Sequence, residues 1–270
     1  MHKARLYVGL QRVLFVRREI LLTTVICVLI GGCGSQTYDQ RLKNTIDYFR
    51  FLESRKVNLA GNAWKGAGVE IRVPRQFQLV PGPGTPAEGD TTPPPADGRQ
   101  PRYMKGPLPG LIGAWRARVR VTGEEGTVPC DLFVLSNHEL FAQEKGTEAL
   151  DFLNAATFQI FDGLGMPMPD GSEWKREEIP EKLGYVKKKH LTKYQGPLSQ
   201  QIHGVDMDTA VYLTQSGDTR IVILFILPRR ISAKENLHNR IPMSLESLVL
   251  SATRPGKAGK SKKKTGSPAF

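Results

Sequence analysis

Two small groups of side chains in this 270-residue chain are of the types that do chemistry. Cys130 becomes a nucleophile if its thiol loses a proton to a histidine that the fold brings near. His203, Asp206 and Asp208 place one imidazole and two carboxylates within a short stretch, a set that suits a hydrolase or a metal ion. No GxSxG, HExxH, P-loop or CxxC sequence accompanies either group. The sequence therefore assigns no catalytic residue, no metal ligand and no cofactor.

The elements that hold these residues favour a structural role for both groups. Cys130 lies in VPCDLFV, which is apolar on both faces and predicts a central strand with a buried, inert thiol. If residues 201–214 form a strand, Asp206 and Asp208 share one face and His203 points to the other. A metal site would then need a turn at that point and ligands from elsewhere. A hydrolase that uses Cys130 or the His203/Asp206/Asp208 cluster remains the alternative function.

Arginines form a third pattern with chemical potential. Arg116, Arg118 and Arg120 alternate with apolar residues and predict a strand that carries a row of guanidinium groups on one face. Such a row could bind phosphate or carboxylate, because guanidinium matches both in a bidentate way. The alternative is a solvated sheet face with acidic residues opposite, and this is the interpretation we favour.

The N-terminal part of the chain predicts an exported protein. Residues 20–30 (ILLTTVICVLI) are uncharged and apolar, Arg17 and Arg18 precede them, and two glycines follow. A charged flank, a short apolar run and small residues at a cleavage site are typical of a secretory signal. The run is too short to span a bilayer as a helix, which takes about 20 residues. We therefore expect a signal peptide over residues 1–32.

The residues that end this run, Leu29-Ile30-Gly31-Gly32-Cys33, resemble the lipobox of bacterial lipoproteins. The resemblance implies cleavage between Gly32 and Cys33 and lipid attachment at the Cys33 sulfur. The membrane is then a partner of the protein, which would sit on the extracytoplasmic (periplasmic) face. Gly34 stands where some inner-membrane lipoproteins carry aspartate, which favours the outer membrane if the cell has one. Two alternatives are an uncleaved membrane helix and an ordinary secretory signal.

The positive charge of the chain, +12 in total, lies at its two ends. Residues 33–250 contain 27 basic and 25 acidic residues, so the body of the chain is nearly neutral. This balance argues against a nucleic-acid-binding domain, which would carry its positive charge on a folded face. Residues 254–270 hold six basic and no acidic residues and predict a disordered tail. The tail either contacts anionic lipid or wall polymer or is a solubilising end.

Hydrophobic periodicity predicts one α+β domain after the anchor. Residues 33–64 should form a tether and an amphipathic helix over about 38–55, and the domain should span 65–253. Within it, 81–108 is so rich in proline and glycine that we expect a disordered or polyproline-like insertion. Strands are predicted at 128–136 and 220–227, and helices at 147–161 and 243–252, the latter with Leu245, Leu248 and Val249 facing inward.

Three segments of this domain carry a family resemblance. Residues 69–80 (VEIRVPRQFQLV), the apolar strand 220–227 that Pro228 ends, and the Ser-Leu-x-Ser-Leu element at 244–248 resemble the PsbP-like family. The resemblance implies an antiparallel sheet flanked by helices, an α/β/α sandwich, in accessory or binding proteins without catalysis. The predicted function is a lipid-anchored envelope lipoprotein that acts as a non-enzymatic accessory or binding module. An envelope hydrolase is the alternative.

Overall fold

The computed structural model describes residues 37–84, 96–143, 145–180 and 188–251. The predicted signal peptide, Cys33 and the basic tail lie outside these ranges. The chain divides into two units, one up to Ser54 and one from Arg55 onward. Within the described ranges, no helix combines the length and the hydropathy of a membrane-crossing segment.

The helix predicted near the N-terminus is present and covers residues 37–58 (α1). Its apolar side chains recur every three or four residues, which is the spacing of one helix face. Tyr38, Leu42, Ile46 and Phe49 on this face are exposed, with exposed fractions between 42% and 66%. The periodicity that predicted the helix is confirmed, and its apolar stripe is at the surface.

The second unit contains two antiparallel sheets and three further helices, which confirms the predicted α+β class. The large sheet has seven strands in the order β3-β4-β5-β9-β8-β7-β6, and the small one has the order β1-β2-β10. The strands are β1 (Trp64–Gly66), β2 (Val69–Ile71), β3 (Gln78–Leu79), β4 (Leu111–Val119), β5 (Val128–Ser136), β6 (Lys175–Pro180), β7 (Lys188–Pro197), β8 (Met207–Ser216), β9 (Thr219–Pro228) and β10 (Val249–Leu250). The helices are α2 (His138–Ala142), α3 (Gly146–Gly163) and α4 (Leu237–Glu246).

Strand β9 is buried on both faces and separates two hydrophobic cores. Ile223 and Phe225 belong to the first core, and Val222 and Leu224 belong to the second. The first core lies under α4 and the small sheet, whereas α3 covers the second. Because successive side chains of a strand point to opposite faces, a central strand between two cores must be apolar throughout. This requirement explains the uninterrupted apolar run of the sequence at 221–227.

The helix predicted over 243–252 is confirmed in part: Leu245 and Leu248 are buried as predicted, but the bounds of the helix and the inward position of Val249 are wrong. Helix α4 begins at Leu237 and ends at Glu246, and Val249 lies in β10 with 57% of its surface exposed. Leu237, Ile241 and Leu245 recur every four residues and are buried, so they form the inward stripe of the helix. Pro242 lies inside α4. Since proline usually ends a helix, its presence disguised the true start.

The proline- and glycine-rich segment is only partly described, because residues 85–95 lie outside the structure. Residues 96–108 pack against the large sheet. Leu108 is buried, its backbone N–H donates to Gln100 Oε1 at 2.7 Å, and Arg99 pairs with Asp97 at 2.8 Å. The disordered, extended conformation predicted for 81–108 therefore does not apply to this part of it.

Candidate ligand-binding cleft

Cys130 lies in the first core and is shielded from solvent. Its exposed fraction is 0%, and it faces Ala117 of the neighbouring strand β4. Burial, and next the nearby charge of Asp131, raise the pKa of the Cys130 thiol to about 12. Its predicted burial is confirmed. A thiol that stays protonated and enclosed at neutral pH is not the nucleophile that the hydrolase alternative needs.

The His203/Asp206/Asp208 cluster does not converge on one point. His203 and Gly204 both have positive φ values, 56° and 75°, and form a tight turn between Ile202 and Val205. His203 is exposed in this turn. The two aspartates instead meet Arg229.

Arg229 Nε lies 3.1 Å from Asp208 Oδ1, and Arg229 Nη1 lies 4.0 Å from Asp206 Oδ2. Both carboxylates therefore face the same cation of the chain, which bonds Asp208 more closely than Asp206. Among the described residues, no three His, Cys, Asp or Glu side chains form a group that could hold a metal ion.

The arginine row of β4 faces a carboxylate, as the favoured interpretation requires. Arg116 Nε donates to Asp131 Oδ1 at 2.8 Å, and the Tyr103 hydroxyl donates to Asp131 Oδ2 at 2.9 Å. Asp131 is 4% exposed. Burial and the Asp131 charge hold the pKa of Tyr103 well above its ordinary value. Arg118 donates to Thr127, its neighbour across the β4–β5 turn. Of this row, Arg116 therefore shares Asp131 with Tyr103, and the Tyr103 hydroxyl ties segment 96–110 to the sheet.

A different region, at one end of the outer strands, forms a cleft of about 1150 Å³. Its walls come from the β6–β7 hairpin, the end of β8, the small sheet, the end of α4 and one residue of α3. We call this region the basic cleft, because its lining carries five lysines and arginines but only two acids. These charged residues are Arg55, Arg72, Arg176, Lys188, Lys189, Glu70 and Glu246.

One side of the basic cleft is the face of the β6–β7 hairpin. Arg176 lies opposite Thr192, Glu178 opposite His190, and Pro180 opposite Lys188. Arg176 and Glu178 on β6, and Lys188, His190 and Thr192 on β7, are spaced two residues apart, so these side chains project from the same face. Arg176, Lys188, His190 and Thr192 on this face are exposed.

On this face of the described strands β6 and β7, the one acid among the cations is Glu178. Lys188 Nζ contacts Glu178 Oε2 at 2.7 Å, and His190 Nδ1 lies 3.8 Å from Glu178 Oε1. The hydrogen bond from Lys188 is the largest cause of a lowered pKa for Glu178, with smaller contributions from the charges of Lys188, His190 and Arg176. One carboxylate thus faces three basic groups, which leaves the hairpin face positive.

The end of α4 forms another part of the lining of the basic cleft. The Lys189 ammonium donates to the carbonyl oxygens of Glu246 and Leu248, where it stabilises the C-terminal turn of the helix. Burial raises the pKa of Glu246, while the charges of Arg55 and Lys189 partly oppose this rise. These contacts fix one wall of the cleft.

Strand β2 is fastened to the same helix end through the backbone of Arg72. Its N–H donates to Ser247 Oγ at 2.8 Å, and its carbonyl accepts from Ser244 Oγ at 2.7 Å. The Arg72 guanidinium lines the cleft, so its attachment point is rigid.

An apolar corner completes the basic cleft. Trp174 and Leu153 line it, and the Trp174 ring packs on Phe161 and Tyr194 with centroid distances of 6.2 and 5.7 Å. Since α3 packs mainly on β9, the outer hairpin beyond it is left open. The cleft therefore combines cations and hydroxyl groups with one aromatic wall, which is a surface for binding a ligand.

The chain matches no protein-family model and no curated protein sequence. Among solved structures it is similar to a crystal structure from Bacteroides thetaiotaomicron, with 7% sequence identity and a TM-score of 0.34. The similarity covers 71% of this chain and 48% of the other, so the chain spans about half the length of that protein. Such a likeness identifies neither a family nor a function.

Proposed function

We propose that this chain is a lipid-anchored lipoprotein of the bacterial cell envelope and that its α+β domain is a non-enzymatic binding module. The lipid on Cys33 would hold the protein on the extracytoplasmic face of a membrane, and the domain would present the basic cleft to a partner. The lipobox-like residues support the location. The observation that carries the binding role is the open cleft of about 1150 Å³ with its excess of cations.

The two sites that could have supported a hydrolase offer less. The Cys130 thiol is enclosed in the core and has a pKa raised to about 12. Asp206 and Asp208 face Arg229, which leaves neither carboxylate poised beside His203. A binding role is therefore the function that the geometry supports best.

The anchor is tested by the intact mass of protein purified from the membrane fraction. We expect the wild type to have the mass of residues 33–270 plus a diacylglyceryl group. Cys33→Ala should lose both the lipid and the cleavage, because the sulfur accepts the lipid. Cys27→Ala is the matched control, since Cys27 lies in the predicted leader and its replacement should leave the mature mass unchanged.

A wild-type protein that retains residues 1–32 without lipid would contradict the anchor. The same result would favour an uncleaved membrane segment. A protein cut at another site and free of lipid would favour an ordinary secretory signal.

A further inference from the structure

We propose that the apolar face of helix α1 lies on the surface of the membrane to which the protein is attached. We call this face the α1 stripe, and its members are Tyr38, Leu42, Ile46, Phe49 and Leu52. The inference deepens the lipid anchor proposed above and rests on it. It adds a second, non-covalent contact between the protein and the bilayer.

The α1 stripe is an exposed apolar surface along one side of a regular helix. Because successive residues of an α-helix are about 100° apart around its axis, the five side chains lie within an arc of about 120°. Their exposed fractions range from 37% at Leu52 to 66% at Tyr38. An apolar arc of this width normally faces a protein core. A continuous row of exposed large apolar side chains instead marks a surface that contacts a partner or a membrane.

The other side of α1 is polar, and several of its groups pair within the helix. The Gln40 amide donates to Asn44 Oδ1 at 3.0 Å, and Arg50 Nη1 lies 3.7 Å from Asp47 Oδ1. These four residues lie about 100° or more from the centre of the α1 stripe. A helix that lies in a membrane interface has this division, with its apolar side toward the acyl chains and its polar side toward water.

The position of the α1 stripe in the chain identifies a membrane as its occupant. Tyr38 follows Cys33 by five residues, and five residues span at most about 18 Å when fully extended. A lipid on the Cys33 sulfur would therefore hold the start of the helix close to the bilayer. The tether gives the bilayer a high effective concentration at the stripe, which neither a free partner nor a second copy of the chain has.

Apolar contact, and not charge, is what this helix offers a membrane. Residues 37–54 contain three basic and three acidic residues, so their net charge is zero. A basic interfacial helix gains affinity from anionic lipid, whereas this helix gains it from buried apolar area. Tyr38 suits the same location, because tyrosine combines an apolar ring with a polar hydroxyl and is enriched at membrane interfaces. We therefore expect the contact on neutral and anionic lipid alike.

The test attaches a polarity-sensitive fluorophore to single cysteines of the full-length protein, purified from the membrane fraction and added to preformed phosphatidylcholine vesicles. The stripe variants are Leu42→Cys and Phe49→Cys. Their matched controls are Lys43→Cys and Arg50→Cys, which lie at the same height on the helix but about 100° around it. All four positions are exposed, so the label does not disturb a core.

Two quenchers report the surroundings of each label: iodide, which stays in water, and a lipid that carries a nitroxide on its acyl chain near the headgroup. The wild type gives the background of the labelling reaction, because its Cys130 thiol is buried and a lipidated Cys33 is blocked. We expect the nitroxide lipid to quench the stripe labels at least about threefold more strongly than the controls. Iodide should show the reverse order, and adding phosphatidylglycerol to the vesicles should change neither order.

Stripe labels that iodide quenches as strongly as the controls would show that the stripe is open to water and would overturn the proposal. Labels shielded from both quenchers would place the stripe against protein and would overturn it as well. The intact mass of the same samples reports the anchor separately. Samples without the lipid mass contradict the proposed function, whereas lipid-bearing samples whose stripe labels escape the nitroxide lipid contradict this inference alone.

Discussion

The state of Cys130 gives the sharpest test of the non-enzymatic interpretation. A pKa of about 12 leaves roughly one thiol in 10⁴ ionised at pH 8. An ordinary cysteine with a pKa near 8.5 is about one-quarter ionised at the same pH. The thiolate is the species that attacks disulfide reagents. Ionisation alone therefore slows the reaction of Cys130 by roughly a thousandfold, and complete burial slows it further.

The assay is the release of the coloured thiolate from an aromatic disulfide reagent. The full-length variant Cys27→Ala/Cys33→Ala is used, so that Cys130 is the only thiol. In native buffer at pH 8 we expect a rate at least about a thousandfold below that of the same protein in guanidinium chloride. The denatured sample should release one equivalent at once, which controls for oxidation of the thiol.

The pH dependence of the native rate shows whether Cys130 reacts slowly because its thiol stays protonated or because the reagent is inactive. The native rate should keep rising with pH above 9, because the thiol is still far from fully ionised there. A native rate within tenfold of the denatured one, or a plateau between pH 7 and 9, would refute the reasoning. Either result would describe an accessible thiolate and would return the hydrolase alternative to consideration.

Three further predictions concern stability and are checked by chemical or thermal unfolding. Asp131→Ala should lower the free energy of unfolding by about 1–3 kcal/mol, because it removes the buried acceptor of the half-buried Tyr103 hydroxyl and of Arg116, whereas the exposed Asp151→Ala should change it by less than about 0.5 kcal/mol. Gly110→Ala should cost about 2 kcal/mol more than Gly123→Ala: both positions have positive φ, but only at Gly110 would a Cβ lie 2.3 Å from the Ser136 carbonyl oxygen. Glu246→Gln should unfold at the same temperature as the wild type below pH 4.5 and at a higher temperature at neutral pH, because a raised carboxyl pKa means that stability is lost as the pH rises through it; a lower temperature at neutral pH would contradict this sign.

Strands that face one or two cores could be predicted from the sequence, because the spacing of their apolar residues indicates which of their faces are buried. The strand predicted at 128–136 is β5 with the same bounds, and the run at 220–227 lies within β9. The helix predicted at 147–161 lies within α3. In each case local preference and tertiary packing favour the same structure, so the pattern is reliable.

The predictions failed where tertiary contacts override local signals. Pro242 indicates a break, yet α4 continues through it because Leu237, Ile241 and Leu245 are buried together on one face. Proline and glycine in 96–108 indicate disorder, yet the Tyr103–Asp131 hydrogen bond ties this segment to β5. The sequence does not show that these two residues pair, because 28 positions separate them.

The candidate site was missed for a related reason. The lining of the basic cleft comes from residues 55, 63, 70, 72, 153, 174, 176, 188–190, 192, 213–216 and 246–250, which lie far apart in the sequence and meet only in the fold. The one local signal was the lysine run at 187–189, which the sequence alone cannot distinguish from a solvated strand. Recognition that β7 and β6 pair as a hairpin would have placed Arg176 and Lys188 on one face, because the register fixes which side chains share it.

The distribution of charge in the domain also bears on why the basic cleft exists. Gathering cations in one concave surface opposes folding, because like charges repel there with less solvent to screen them. Several cations of the domain have an acidic partner: Arg116 has Asp131, Arg229 has Asp206 and Asp208, Lys65 has Glu70, and Lys188 has Glu178. On the hairpin face of the cleft, among the described residues, the carboxylate of Glu178 faces Lys188, His190 and Arg176 together, which is a departure from one-to-one pairing. Such a departure is expected where a surface binds a charged ligand, since the ligand supplies the balancing charge that the fold withholds.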